Sequence, residues 1–321
     1  MISRIYSVRA LFHDLQVTGV SGFLGSHVIH QLLEAGYLVR GTVRTDKVAL
    51  VQEGYASYGD QLEVIAIDDL INGDFTDALK GRASPEAALN AAIEGSLNIL
   101  RQAEKAGIAR FVLVSSMVAV RKPGDTSETG WTDKDWNSVT REEVLDGMRD
   151  EMFIYAAEKT LAERAVWEFA DQHPHMDITT EETAVNPPFF YGPFAPGFRA
   201  PDATISALST NSRIYALLRP DEPIPPFLLH RWRKRILMSG EWFSFKDAVE
   251  YIAEVRPELR DRLAVDARSA PATPQTSIDN TRAREVLGLK EMVPWRDTVL
   301  AAVDDLIKLE KEWASKGLTV Q

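Results

Sequence analysis

The chain has no cysteine among its 321 residues, which excludes disulfides and thiolate metal sites. It also has no apolar run approaching the ~20 residues that a membrane-spanning helix needs, and no apolar signal-peptide core. Bases are in deficit, 36 against 47 acids, for a net charge of −11. That sign argues against nucleic acid or an anionic membrane surface as the main partner. Histidines are few and scattered, six in all. His173 and His175 fall in a polar turn with no legible acidic partner, so a solvated loop is expected there and no metal site. The first fourteen residues, MISRIYSVRALFHD, contain Arg4 and Arg9 but no acid before Asp14. A targeting presequence can have that composition, and so can a poorly packed extension, which is the plainer reading. A cytoplasmic location is expected.

Hydrophobic residues make up 45% of the chain, enough for a large core. Strands are predicted at Leu15–Thr18, Tyr37–Val43, Leu62–Ile67, Phe111–Ser115, within Met176–Phe190, and at Arg235–Met238. The Phe111–Ser115 run, FVLVS, reads as a buried strand. Helices are predicted at His27–Ala35, Ala87–Ala106, Ala156–Ala170, Phe245–Ile252 and Trp295–Trp313. The last has Val299, Ala302, Val303 and Leu306 on one face, suited to docking on its own domain or on a partner. Strands alternating with helices imply an α/β fold with a parallel sheet covered on both faces.

Between Thr18 and Val28 the chain reads TGVSGFLGSHV. A strand, a tight glycine turn and a helix start bring several backbone N–H groups to one point, where the helix adds a partial positive charge. Glycine lets a pyrophosphate approach the backbone closely. The spacing of Gly19, Gly22 and Gly25 is G-x-x-G-x-x-G, not the G-x-G-x-x-G of the usual dinucleotide fingerprint. About 20 residues on, an NAD site places an acid at the end of the second strand. This chain has Arg44 there, with Arg40 and Lys47 nearby. A guanidinium can grip a 2′-phosphate that an acid would repel, so the cofactor expected is NADP(H). A solvated basic turn is the ordinary alternative.

A second constellation follows. Ser115 and Ser116 end the FVLV run, and Tyr155 and Lys159 stand four apart on a predicted helix, hence on one face. An ammonium beside a phenol favours proton exchange nearer neutral pH, and a serine at a strand's carboxyl end can hold the same substrate oxygen. Each element alone is common. Their order after a glycine loop is not.

Together these residues resemble the extended short-chain dehydrogenase/reductase (epimerase/dehydratase) family, in the branch of dihydroflavonol 4-reductase and the fungal aldehyde and methylglyoxal reductases. TGVSGFLGSHV (18–28), GTVR (41–44), IDDL (67–70), the segment 92–116 ending in FVLVSS, YAAEKTLAERAVWEF (155–169), NPPFFYGP (186–193), and the segments 242–259 and 286–299 carry the resemblance. It implies a Rossmann-like doubly wound parallel sheet with a smaller C-terminal substrate domain. The NADP-binding domain would span 1–192 and 233–241, and the substrate-binding region 193–232 and 242–321.

The resemblance also implies roles. Ser116 would orient a carbonyl, Tyr155 would donate a proton, and Lys159 would hold the nicotinamide ribose and tune Tyr155. Gly19, Gly22, Phe23, Leu24 and Gly25 would line the pyrophosphate. Arg44 and Lys47 would take the 2′-phosphate, Asp69 and Leu70 would flank the adenine, and Pro187 would border the cofactor. The reaction implied is NADPH-dependent reduction of a small aldehyde or ketone. The alternatives are a nucleotide-sugar epimerase or dehydratase, which Arg44 opposes, and a non-catalytic or defective dinucleotide-binding protein.

The second alternative arises from departures. After Leu62–Ile67 the topology demands another strand before FVLVS. The stretch Phe75–Gly95 contains no run of β-branched or aromatic residues. A missing central fourth strand is therefore expected. The segments LLHRWRKRILMSG (228–240) and DITTEETAVNPP (177–188) also depart from the family pattern. The aromatics of Phe189–Phe194 could line an apolar substrate wall or simply pack in the core.

Overall fold

A computed structural model describes residues 15–68, 84–108, 110–120, 136–146, 150–178, 184–187, 190–220, 235–236, 241, 243–264, 281, 284–285 and 291–319. The chain divides into two compact units. One comprises Met1–Asp68, Gly192–Ser212 and Ala302–Gln321, the other Asp69–Tyr191 and Arg213–Ala301.

The first unit opens with β1 (Leu15–Thr18), α1 (Phe23–Glu34), β2 (Val39–Val43), α2 (Val48–Gly54) and β3 (Leu62–Ala66). The strands are parallel in the order β1-β2-β3, with Val17 opposite Gly41 and Arg40 opposite Glu63. Alternation in β2 buries Val39, Gly41 and Val43, and the two valines pack with Val20, Ile29, Leu33, Val51 and Tyr55. Helix α1 starts four residues earlier than its apolar period suggests. The glycine at position 22 serves as its N-cap, and Phe23 is already buried in its first turn. Gly36 follows the helix with φ +83°, the left-handed conformation common just past a helix end.

The second unit contains α3 (Pro85–Lys105), β4 (Leu113–Val114), α4 (Arg141–Leu145), α5 (Glu151–Gln172), β5 (Ala184–Val185), then β6 (Arg235–Ile236) and α7 (Phe245–Val255). Between β5 and β6, α6 (Ser212–Ala216) starts at the unit boundary; α8 (Trp295–Ser315) also crosses that boundary. Helix α3 is started by Ser84, whose side chain accepts the N–H of Ala87, with Pro85 at the first position. Helix α5 is started by Asp150, which accepts the N–H of Phe153 at 2.7 Å. Leu100 and Ala103 of α3 and Val166, Phe169 and Ala170 of α5 form one core with Met176 and Ile178, against which Phe111 and Leu113 pack. Strands β4, β5 and β6 are parallel, Leu113 opposite Ala184 and Ala184 opposite Arg235.

The described strands therefore form two three-stranded parallel sheets. No described strand lies between β3 and β4, and residues 69–83 of that interval fall outside the described residues. FVLVS differs from the buried strand predicted. Only Leu113 and Val114 are strand, and Val112 and Val114 are 63% and 42% exposed. Phe111 and Leu113 point to the core while their alternates do not, which is the pattern of a strand covered on one face. Similarly, β1 is more exposed than a central strand would be. The apolar face of α8 is buried within the chain at Val299, Ala302, Val303 and Leu306. No described helix is long and apolar enough to cross a membrane.

Candidate active site

The glycine loop is built by three backbone constraints. Gly19 sits at φ +68°, where a side chain is strained. The N–H groups of Gly19 and Val20 both donate to the Thr42 carbonyl, at 3.0 and 3.2 Å, tying the loop to β2. A Cβ on Gly25 would stand 2.3 Å from the Gly19 carbonyl oxygen, so α1 approaches the loop closer than any side chain allows. Gly22 contributes no side-chain cap, and the first turn of α1 carries no acid. An N-terminus left uncapped and free of negative charge is suited to an anion. These residues fit the pyrophosphate of a dinucleotide.

The loop is supported from below. The Tyr55 hydroxyl donates to the Ser26 carbonyl at 2.8 Å, and burial pushes that phenol up to about 12. His27 has a 3.0 Å hydrogen-bond contact with the Pro193 carbonyl, and burial holds its imidazole below the ordinary histidine value. Phe23 meets His27 and Phe194 edge-on.

Arg44 caps a 3₁₀ turn, Thr45–Lys47, directly after β2, and Lys47 is the last residue of that turn. Arg44 is 66% exposed at its side chain and Lys47 only 19%. Arg40 is instead paired across the sheet with Glu63 at 2.8 Å. Sequence reasoning missed Asp68, whose carboxylate accepts the backbone N–H of Thr45 at 2.8 Å and its hydroxyl at 2.6 Å. Asp69 and Leu70 lie outside the described residues.

In the second unit, Tyr155 and Lys159 stand one turn apart on α5, with the Lys159 ammonium 6.0 Å from the Tyr155 ring centroid. Ser116 ends the β4 segment and caps the 3₁₀ turn Met117–Ala119, its hydroxyl accepting the Val118 N–H at 3.4 Å. That turn meets α5 where the Thr160 hydroxyl reaches the Val118 carbonyl, also at 3.4 Å. The Pro187 carbonyl accepts the Met117 N–H at 3.2 Å, bringing Pro187 beside the Ser116 turn.

The other serine has a different position. Ser115 is buried and donates to Glu163 at 2.5 Å. The same carboxylate accepts from Asn186 at 3.0 Å and from the Trp167 indole at 3.3 Å. Asn186 also donates to the Ser116 carbonyl at 3.0 Å. Glu163 thus ties the carboxyl ends of β4 and β5 to α5. The one signal for it in the sequence was its place eight residues after Tyr155 on the same helix.

The aromatic stretch Phe189–Phe194 is divided. Tyr191 packs edge-on to Phe243, which stacks on Trp295 at 4.7 Å. Phe194 stacks on Phe198 in the first unit. Phe189 lies outside the described residues. His173 and His175 do have an acidic partner, contrary to expectation. Glu104 of α3 lies 3.7 and 2.9 Å from their Nε2 atoms. Among the described residues no group of three or more His, Asp or Glu is placed to hold a metal ion.

A model of the NAD dependent epimerase/dehydratase family matches residues 15–214, which spans the loop, the Arg44 turn and α5. The chain belongs to that family. It is 36% identical to aldehyde reductase 2 of Sporidiobolus salmonicolor over 185 residues, 50% of this chain and 54% of that protein. It is 25% identical to the NADPH-dependent methylglyoxal reductase of Saccharomyces cerevisiae, over 92% of this chain and 98% of the relative. The fold matches the crystal structure of a yeast methylglyoxal/isovaleraldehyde reductase complexed with NADPH. The TM-score is 0.73 at 21% identity, covering 92% of this chain and 99% of that one.

Proposed function

We propose that this family member is an NADPH-dependent oxidoreductase that reduces an aldehyde or ketone to the corresponding alcohol. The observation that carries the reading is the pairing of Tyr155 with Lys159 on α5, beside the turn that Ser116 caps. The cofactor preference is supported by Arg44, which stands where an NAD site holds an acid, and by the NADPH-dependent relative.

Gly19, Gly22, Phe23, Leu24 and Gly25 hold the pyrophosphate through backbone N–H groups and the positive end of α1. Arg44 and Lys47 hold the 2′-phosphate. By the family pattern Asp69 and Leu70, which lie outside the described residues, would flank the adenine, and Pro187 would border the cofactor. Bound NADPH supplies the hydride that reaches the carbonyl carbon. The Ser116 hydroxyl holds the carbonyl oxygen by a hydrogen bond. The Tyr155 hydroxyl gives that oxygen its proton, so the carbonyl gains a hydride and a proton and leaves as the alcohol. Lys159 places a positive charge beside the phenol as its proton departs, and binds the ribose.

The test combines two measurements. NADPH should raise the melting temperature more than NADH does, and Tyr155→Phe should lower carbonyl reduction about 100-fold or more while leaving the NADPH shift intact. Reduction that survives Tyr155→Phe unaltered refutes the mechanism. The exposure of Val112 and Val114 favours one other reading, a chain that binds dinucleotide without turnover. It gives the NADPH shift with no reduction of any carbonyl.

A further inference from the structure

The two cations at the end of β2 are not an empty basic cup. Both already face a carboxylate of their own turn. The Arg44 Nε lies 3.8 Å from Asp46 Oδ1, and the Lys47 Nζ lies 3.1 Å from Asp46 Oδ2. The turn is closed by the Lys47 N–H donating to the Arg44 carbonyl at 2.9 Å. It is also pinned from the next strand, where Asp68 grips Thr45 through both its N–H and its hydroxyl. Asp46 therefore faces both cations inside the turn, while Asp68, just past β3, holds the turn from outside.

A phosphate monoester carries about two negative charges near neutral pH. To reach Arg44 and Lys47 it must take them from Asp46 and accept the repulsion of the carboxylate that remains. A cofactor without the 2′-phosphate leaves the Asp46 pairs as they are. The cost of displacing Asp46 falls on one cofactor and not on the other.

We propose that Asp46 is the resident anion of the 2′-phosphate site. It competes within the chain for Arg44 and Lys47, and so sets how strongly this protein prefers NADPH over NADH. The inference rests on the NADPH reading above. Asp46 is a specificity-determining residue in this account and takes no part in the chemistry at the carbonyl.

The experiment is titration of the full chain with NADPH and with NADH, for the wild type, Asp46→Asn and Arg44→Ala, at fixed ionic strength. Asp46→Asn should tighten NADPH about three- to tenfold, the range expected for removing one partly screened, solvent-exposed charge beside a dianion. Its NADH dissociation constant should stay unchanged. The gain should shrink as salt is raised. An unchanged or weaker NADPH constant overturns the inference, and so does an equal tightening of both cofactors, which reports net charge alone. Arg44→Ala separates this failure from that of the underlying reading. If it weakens NADPH while Asp46→Asn does nothing, only the role of Asp46 is lost. If it leaves NADPH binding untouched, the 2′-phosphate assignment falls and Asp46 falls with it.

Discussion

A methyl group at position 25 has nowhere to go. Built on the backbone, it stands 2.3 Å from the Gly19 carbonyl oxygen and 2.9 Å from the Gly19 carbonyl carbon. Ordinary contact begins at 3.4 Å, so α1 and the loop must part by about 3.4 − 2.3 = 1.1 Å. The obstacle is backbone held to Thr42 by two hydrogen bonds, not the end of a flexible side chain. Overpacking of this kind costs about 1–3 kcal/mol, or a fall in Tm of roughly 2–10 °C. The effect on the cofactor should be larger than the effect on the fold. The same displacement moves the N–H groups proposed to hold the pyrophosphate, and misplacements of about 1 Å can cost ~100-fold. Gly25→Ala is therefore expected to weaken NADPH at least tenfold, read by calorimetric titration at a temperature where the variant is folded. Gly22→Ala is the internal control. Its methyl would lie 3.3 Å from the same oxygen, a contact that a small shift relieves. A Gly25→Ala protein that melts and binds NADPH like the wild type would refute the close-approach argument.

Glu163→Gln puts an NH₂ group where a carboxylate oxygen now accepts from Ser115, Asn186 or Trp167, so donors face a donor. It should cost about 1–3 kcal/mol, measured by urea denaturation, and Asp at the same position should not restore the network. Tyr55→Phe removes the hydrogen bond to Ser26 and should cost about 1 kcal/mol. The Tyr55 phenol is raised from 10.0 to about 12 in the fold, so its neutral form is favoured by folding. Its contribution is full below about pH 10 and fades as pH rises through about 12, and the gap between wild type and Tyr55→Phe in alkaline melts should close over that range. Asp68 behaves in the opposite sense. Its hydrogen bonds from Thr45, with the nearby Arg44 charge, hold its carboxyl below the usual value of 3.8. Its stabilisation is present above that value and lost as pH falls through the lower folded one, so the melts of wild type and Asp68→Ala should converge in acid.

Local features were legible where chemistry and spacing coincide. Leu15–Thr18 runs as a strand into a glycine turn because alternation and glycine placement are properties of the chain itself. Arg44 ends the second strand because Val39, Gly41 and Val43 fix which residues β2 buries and where it stops. Tyr155 and Lys159 share a face because four residues are one helical turn. The stretch 75–95 has no run of β-branched or aromatic residues, and its described part is helix from Pro85, in a helix that runs to Lys105, as its periodicity predicts.

Only the tertiary structure decided which of two adjacent serines is spent on structure. Ser115 and Ser116 have the same hydroxyl, and nothing local assigns the first to Glu163, forty-eight residues away. It also decided that Asp46 would neutralise the cations beside it, that Asp68 would clamp Thr45 from the next strand, and that Glu104 would meet both His173 and His175. Likewise, FVLVS has the composition of a strand buried on both faces, yet burial depends on having neighbours to supply it. With β5 as its described partner, its alternate valines remain exposed. Periodicity and residue type act over a few residues, so the sequence determined the elements and the chemical groups they carry. Hydrogen bonds and ion pairs between distant segments depend on how those elements pack, and so they were settled by the fold.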